Sequence, residues 1–197
     1  MRNKVQSYLS ESEVKDLLRQ PDRHTLLGKR DFAILLLMIS TGIRRNELCS
    51  LKRSDLKVEG KKVWLYIWGK GGRQRKVPIK SLELLEAVNE YQKKVNLNND
   101  LDSPLFRKFD KKKTTSPLPL TWKTVRHLVS KYARFAKFQK NIHPHSLRHT
   151  FITLALRKSN DLPAVQALAG HRNLKATQVY LHTNEDRMEK AIEKLGT

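Results

Sequence analysis

The chain has 197 residues, 40 of them Lys or Arg against 19 Asp or Glu, for a formal net charge of +21. That length allows one domain or two small ones, and a hydrophobic content of 39% is enough for a core, which excludes a disordered basic tail. A folded chain this basic implies a polyanion as partner, nucleic acid before an anionic membrane, since no basic amphipathic helix with an aromatic face is evident; a merely solubilising surface is the bland alternative.

Ser10-Glu11-Ser12-Glu13 is a capping box before Val14, Leu17 and Leu18, so a first helix is expected there, ended by Pro21-Asp22. A second helix is expected from about Gly28 to Ser40. Its run from Phe32 to Ile39 is apolar on every side, which predicts the buried centre of the fold, and eight residues are too few to span a bilayer. Gly42 suits the C′ position of that helix, which places Arg44 just past its end, at the start of a short helix through Glu47 and Leu51. The one cysteine, Cys49, builds neither a disulfide framework nor a Cys-type zinc site and reads as a small buried residue. With no signal peptide at its start, the chain reads as soluble and intracellular.

Between residues 55 and 79 the pattern changes to strand. Val63, Leu65 and Ile67 alternate with Trp64, Tyr66 and Trp68; Gly69-Lys70-Gly71-Gly72 is a hairpin turn; Arg75 to Ile79 returns. The two tryptophans read as sheet packing. Ser81 to about Val95 is an amphipathic helix with Leu82, Leu85, Val88 and Tyr91 inward. Residues 96–119 read mostly as loop, with a charged run from Arg107 to Lys113 and an apolar pair, Leu105-Phe106. Thr121 to about Phe138 is a helix striped by Val125, Leu128, Val129 and Tyr132. Pro144 opens a helix to about Lys158. Asp161 caps another that closes at Gly170. Short helices are expected at Lys175 to His182 and Asn184 to Leu195. The sum is a single domain over residues 1–197, mainly α with one small antiparallel β-sheet (α+β).

His145 and Arg148 are three residues apart and share a helix face. An arginine fork matches two phosphate oxygens, although a capping histidine and a solvated arginine fit the same spacing. His145 and His149 are four apart, but no nearby carboxylate completes a zinc-hydrolase pattern.

The whole set is more specific. His145-Ser-Leu-Arg148-His149, then Leu168-Ala-Gly-His171, then Tyr180 nine residues on, resembles the second motif block of the tyrosine recombinases, the phage integrase and Xer family. Thr41-Gly42-Ile43-Arg44, followed by Glu47-Leu48, resembles the family's first block. Gly69-Lys70-Gly71 before Arg75-Lys76-Val77-Pro78-Ile79 resembles its lysine hairpin. Three blocks in the family's order span nearly the entire chain.

The resemblance implies the family's catalytic-domain fold and a site-specific DNA recombinase, for integration, excision, inversion or dimer resolution. Tyr180 attacks the scissile phosphate to give a 3′-phosphotyrosyl link and a free 5′-hydroxyl. Arg44 and Arg148 hold the non-bridging oxygens, Lys70 protonates the leaving 5′-oxygen, His145 assists proton transfer, and His171 hydrogen-bonds a phosphate oxygen. Glu47 either orients Arg44 or is a surface acid; His149 and His182 read as structural. Arg73, Arg75 and Lys76, with Lys111, Lys112 and Lys113, are expected to meet phosphates along double-stranded DNA. No metal and no nucleotide cofactor is expected, because clustered carboxylates are missing from the motifs. The separate N-terminal clamp domain usual in the family is expected to be absent here, the chain being either a piece of a longer protein or a member built from the catalytic domain alone, so weak, salt-dependent DNA binding is expected, from a chain that is monomeric until protomers meet on DNA. The tail after Tyr180, with Met188, Ile192 and Leu195 on one face, docks on a neighbouring protomer or folds back on its own. Two other classes remain open: DNA relaxation by the type IB topoisomerase route, and a catalytically silent DNA-binding regulator.

Overall fold

The computed structural model describes residues 8–69, 71–95, 100–110 and 115–170. Within them the element order is α1 (Glu11–Leu18), α2 (Leu26–Thr41), α3 (Arg45–Ser50), a 3-10 turn (Arg53–Asp55), β1 (Leu56–Glu59), β2 (Lys62–Trp68), β3 (Gln74–Ile79), α4 (Leu82–Val95), β4 (Arg107–Phe109), β5 (Thr115–Pro119), α5 (Trp122–Phe135), α6 (Pro144–Ser159) and α7 (Leu162–Ala169). The expected class, mainly helical with a small antiparallel sheet, is the observed one.

Helix α2 is the axis. Phe32 to Met38 are all buried, and α2 packs against α4 on one side and α6 on the other. It begins two residues earlier than expected because Thr25 caps it, its hydroxyl accepting from the Gly28 N–H at 3.0 Å. Gly28 itself lies inside the first turn, where a Cβ would come within 1.9 Å of the Asp22 carbonyl oxygen. At the other end Gly42 takes the left-handed conformation (φ 61°) and donates to the Met38 carbonyl. A Cβ there would also strike Phe151 of α6 at 2.3 Å. Gly42 therefore meets two demands, a reversal of the chain and a close approach of α6.

The sheet contains one more strand than the sequence pattern gave. β1, β2 and β3 pair in that order, all antiparallel, with Leu65 opposite both Leu56 and Val77. Its inward face carries Leu65, Ile67, Val77 and Ile79 into the main core. A second hairpin, β4–β5, lies in the stretch expected to be loop. Its signal is faint because β4 has three residues, two of them charged, and β5 contains two prolines. Leu105 and Phe106, just before it, are buried, and Phe106 stacks on Tyr91 with ring centres 5.8 Å apart.

Three smaller expectations are corrected. Leu82 is exposed, because the inward stripe of α4 runs through Leu84, Ala87, Val88 and Tyr91, and a residue two before Leu84 faces away. Trp68 is about half exposed (51%) rather than packed. Helix α5 stops at Phe135, where Lys137 turns left-handed (φ 57°).

One buried polar network was not legible in the sequence. Arg30 donates to Asp31 through Nε (3.0 Å) and Nη2 (2.7 Å), and to the Arg107 carbonyl (3.0 Å). The Tyr132 hydroxyl donates to the other Asp31 oxygen at 2.9 Å. These bonds tie α2 to α5 and to the start of β4, and satisfied groups of this kind fix one arrangement of a core. Burial, with the Asp31 charge and hydrogen bond, pushes the Tyr132 hydroxyl well above its ordinary range.

Candidate active site

The site is assembled from the ends of helices. Arg44 is the N-cap residue of α3, with extended backbone (φ −72°, ψ 147°). Its own N–H is accepted by Glu47 Oε2 at 2.9 Å, so the first turn of α3 fixes both residues. The guanidinium then donates to Glu47 Oε1 (2.9 Å) and to the Gly170 carbonyl (3.0 Å). Its side chain is 43% exposed, open to a neighbouring cavity.

Arg148 comes from α6, whose start is set by Pro144 at N1. Only 4% exposed, it donates to the Gly42 carbonyl and to the Ala169 carbonyl, each at 2.6 Å. Arg44 and Arg148 are thus held by consecutive carbonyls at the C-terminal end of α7, where partial negative charge favours cations. Gly170, left-handed at φ 65°, closes α7 there and leads directly into His171.

Both arginines line one cavity of about 580 Å³ together with Glu47 and His145. Arg45, Arg126, His143 and Asn141 line it as well. Glu47 is the one acidic residue in its lining among the described residues, and both its oxygens are engaged by guanidiniums. The cavity is therefore strongly cationic and suited to an anion with several oxygens.

Three histidines cluster at the start of α6. The rings of His143 and His145 stack at 6.3 Å, and His149 meets His145 edge-on at 5.5 Å. Burial, then the charges of His143, Arg148 and Arg44, lower the His145 imidazole below its ordinary range. Burial and the two neighbouring histidines push His149 down to about 4. Burial with Arg126 and Arg45 lowers His143 likewise. These shifts favour the uncharged imidazole, the form in which His145 accepts a proton. Among the described residues no group of three or more His, Cys, Asp or Glu is placed to hold a metal ion.

Glu47 is only 7% exposed, so the surface-acid alternative is set aside. Burial alone would raise its carboxyl; the hydrogen bonds and charge of Arg75, together with the backbone and side-chain hydrogen bonds of Arg44, outweigh that and hold it below the usual carboxylate range.

The Arg75 expectation needs correction. Its guanidinium is turned inward, with Nη1 and Nη2 on the two Glu47 oxygens (3.0 and 2.7 Å) and Nε on the Leu168 carbonyl (3.1 Å). Strand alternation is the reason. Arg75 shares the inward face of β3 with Val77 and Ile79, whereas Lys76 points to the other face. There Lys76 sits over the Trp64 ring (4.5 Å) and 3.8 Å from Glu59. Arg73 is exposed at the hairpin end, where the Gly69 N–H donates to its carbonyl at 2.7 Å. Lys70, His171, Tyr180, His182, Lys111, Lys112, Lys113 and the expected tail helix lie outside the described residues.

Sequence reasoning brought Arg44, Glu47, His145 and Arg148 together, and the structure places all four on one cavity. It missed Arg45, Arg126 and His143. Arg45 carried no periodic signal, because its guanidinium lies over the Trp122 ring of a distant helix (4.9 Å).

The phage integrase family model matches residues 7–187. The chain belongs to that family. It is 39% identical over 193 residues to the tyrosine recombinase XerC of Bacillus pumilus, covering 95% of this chain and 60% of the relative. It is 38% identical over 186 residues to the tyrosine recombinase XerA of Pyrococcus horikoshii, covering 94% and 60%. The chain therefore spans about three-fifths of the length of the curated relatives it matches. Among solved structures it resembles the XerH site-specific recombinase in a post-cleavage complex with palindromic difH substrate, with a TM-score of 0.78 and 28% identity over 96% of this chain and 53% of that one. The integrase-family fold is thus shared with proteins of this kind. No helix among the described residues is long and apolar enough to cross a membrane.

Proposed function

We propose that this chain carries the DNA-cutting and rejoining chemistry of a site-specific tyrosine recombinase. The observation that supports it most is the convergence of Arg44 and Arg148 on one acid-poor cavity, each held by one of two consecutive carbonyls that lead into His171. Tyr180 follows nine residues later.

In this reading the scissile phosphodiester occupies the cavity. The Tyr180 hydroxyl loses its proton and its oxygen forms a bond to phosphorus, while the bond from phosphorus to the 5′-oxygen breaks. Free tyrosine has a pKa of about 10, so the proton needs an acceptor. His145, on the cavity wall and shifted toward its uncharged form, fits that task. Charge building on the non-bridging oxygens meets two guanidiniums already in place, and preorganised donors of this kind are typically worth about 10²–10³ in rate each. Lys70 protonates the leaving 5′-oxygen, and His171 donates to a phosphate oxygen. The phosphotyrosyl bond retains the energy needed to join a new 5′-hydroxyl.

Arg45 and Arg126 add to the cationic wall of the same cavity and suit neighbouring DNA phosphates; Arg73 and the Lys111 to Lys113 run suit the duplex backbone elsewhere. Strand exchange needs further protomers on the DNA. Gel filtration of the chain alone, expected to show a monomer, checks the resting state.

A nicked suicide substrate incubated in EDTA tests the chemistry. Wild type is expected to form a covalent protein–DNA adduct and Tyr180→Phe none. The proposal is wrong if wild type forms no adduct on any DNA, including the site used by a related recombinase.

A further inference from the structure

Glu47 holds Arg44 from two sides, through the side chain (2.9 Å) and the backbone N–H (2.9 Å). Left alone, a buried carboxylate in that position would also discharge Arg44, since opposite charges in contact within a low-dielectric wall interact strongly. Orientation and charge would then be in conflict, because an arginine locked in a neutral pair attracts a phosphate weakly.

Arg75 removes the conflict. It meets both Glu47 oxygens in a forked pair, is 13% exposed, and belongs to a different element, β3. Glu47 and Arg75 together are close to neutral, so Arg44 keeps its own charge for an anion in the cavity. Arg75 also touches the other parts of the site. Its Nε is bonded to Leu168 in α7, and a Cβ on Gly170 would come 3.1 Å from its Cδ. At the base of the lysine hairpin, a Cβ on Gly69 would lie 3.7 Å from Glu47 Oε1. One guanidinium thus joins the hairpin, the start of α3 and the end of α7.

We propose that Arg75 is a positioning residue for phosphate chemistry: it neutralises Glu47, so that Glu47 orients Arg44 without discharging it. This rests on the reading of Arg44 as a ligand of the scissile phosphate. Arg75 touches no substrate in this scheme and acts through Glu47.

The scheme predicts an unusual sign. Arg75→Met keeps much of the apolar stem and removes the charge, leaving Glu47 to Arg44 alone; single-turnover cleavage of the suicide substrate should fall about 10²-fold, the typical size of losing one charge-stabilising donor. Adding Glu47→Gln to that variant removes the discharging carboxylate while leaving an oxygen to accept from Arg44. Cleavage by the double variant should recover by about tenfold or more over Arg75→Met. Rates are compared at saturating enzyme and at a temperature where circular dichroism shows each variant folded, so that recovered folding is not mistaken for recovered chemistry. If Arg75→Met cleaves like wild type, or the double variant is no faster than Arg75→Met, the inference falls. Should Arg75→Met fail to fold, Arg75→Lys decides instead. It keeps the charge and loses the fork, so cleavage within about tenfold of wild type supports the scheme, and a drop of about 10²-fold overturns it. Failure of wild type to form any adduct would instead sink the reading of the site as a recombinase centre.

Discussion

Gly42→Ala is the sharpest test of how the fold positions the site. The residue is left-handed at φ 61°, and an alanine Cβ would sit 2.3 Å from Phe151 Cδ1 and 2.9 Å from Cε1. Holding alanine in the left-handed region costs about 1–2 kcal/mol. The overlap adds a second cost: carbons prefer about 3.5–4.0 Å, so the ring must move by more than an ångström in a buried site, and overpacking of that kind costs about 1–3 kcal/mol. The sum is about 2–5 kcal/mol, a large share of the 5–15 kcal/mol typical of a domain. Gly60→Ala is the matched control. Its φ is 58°, but nothing lies within 4 Å of the added carbon, so only the backbone cost applies. Urea unfolding of both variants, followed by circular dichroism, gives the difference directly. Gly42→Ala should lose at least about 1 kcal/mol more than Gly60→Ala. Equal losses would refute the claim that Phe151 occupies the space at Gly42. A second readout follows from α6: Phe151 lies three residues beyond Arg148, which donates to the Gly42 carbonyl, so cleavage should fall further than the folded fraction does.

The remaining predictions concern charge and protons. Arg148→Ala should reduce suicide-substrate cleavage by about 10²–10³-fold, and a gel-shift assay should show a much smaller change in DNA affinity, because the loss falls on the transition state. Arg45→Ala combined with Arg126→Ala should lower DNA affinity and reduce the slope of log K against log salt by about two, measured by fluorescence anisotropy across a salt series. Cleavage should decline as pH falls below about 6.5, since His145 loses its ability to accept a proton once it is charged, and its depressed pKa places that loss on the acid side of the ordinary histidine value. Folding stability should also weaken on the acid side. His149 is held near 4 when folded and returns to about 6.5 when unfolded, so the unfolded chain binds the extra proton between those values and stability drops as pH falls from 6.5 to 4. A urea midpoint that does not shift over that interval in wild type, or shifts equally in His149→Asn, would contradict this.

Much of the scaffold was legible because its signals are periodic. The all-round apolar run of α2, the stripe of α5 and the alternation of β2 each point to one element and one burial pattern, and each is present. The β4–β5 hairpin was not legible, since three charged or aromatic residues and a proline-containing partner carry no period. At the site, Arg44, Glu47, His145 and Arg148 were found through motif spacing, which reflects helix ends rather than composition. Arg75 was misassigned although a signal existed: it alternates with Val77 and Ile79, the buried face of β3, and a cation on a buried face requires a carboxylate partner. Arg45, Arg126 and His143 were missed for a different reason. They become neighbours only when α3, α5 and the start of α6 pack together, and no local pattern encodes that meeting.

The central claim is that a phosphodiester held by Arg44 and Arg148 is attacked by Tyr180. The most direct measurement is the position and polarity of the covalent link. Wild-type adduct from a suicide substrate is digested with nuclease and protease, and the modified peptide is sequenced by mass spectrometry. The account predicts a single nucleotide joined through its 3′-phosphate to Tyr180. A link to any other residue, or through a 5′-phosphate, would contradict it.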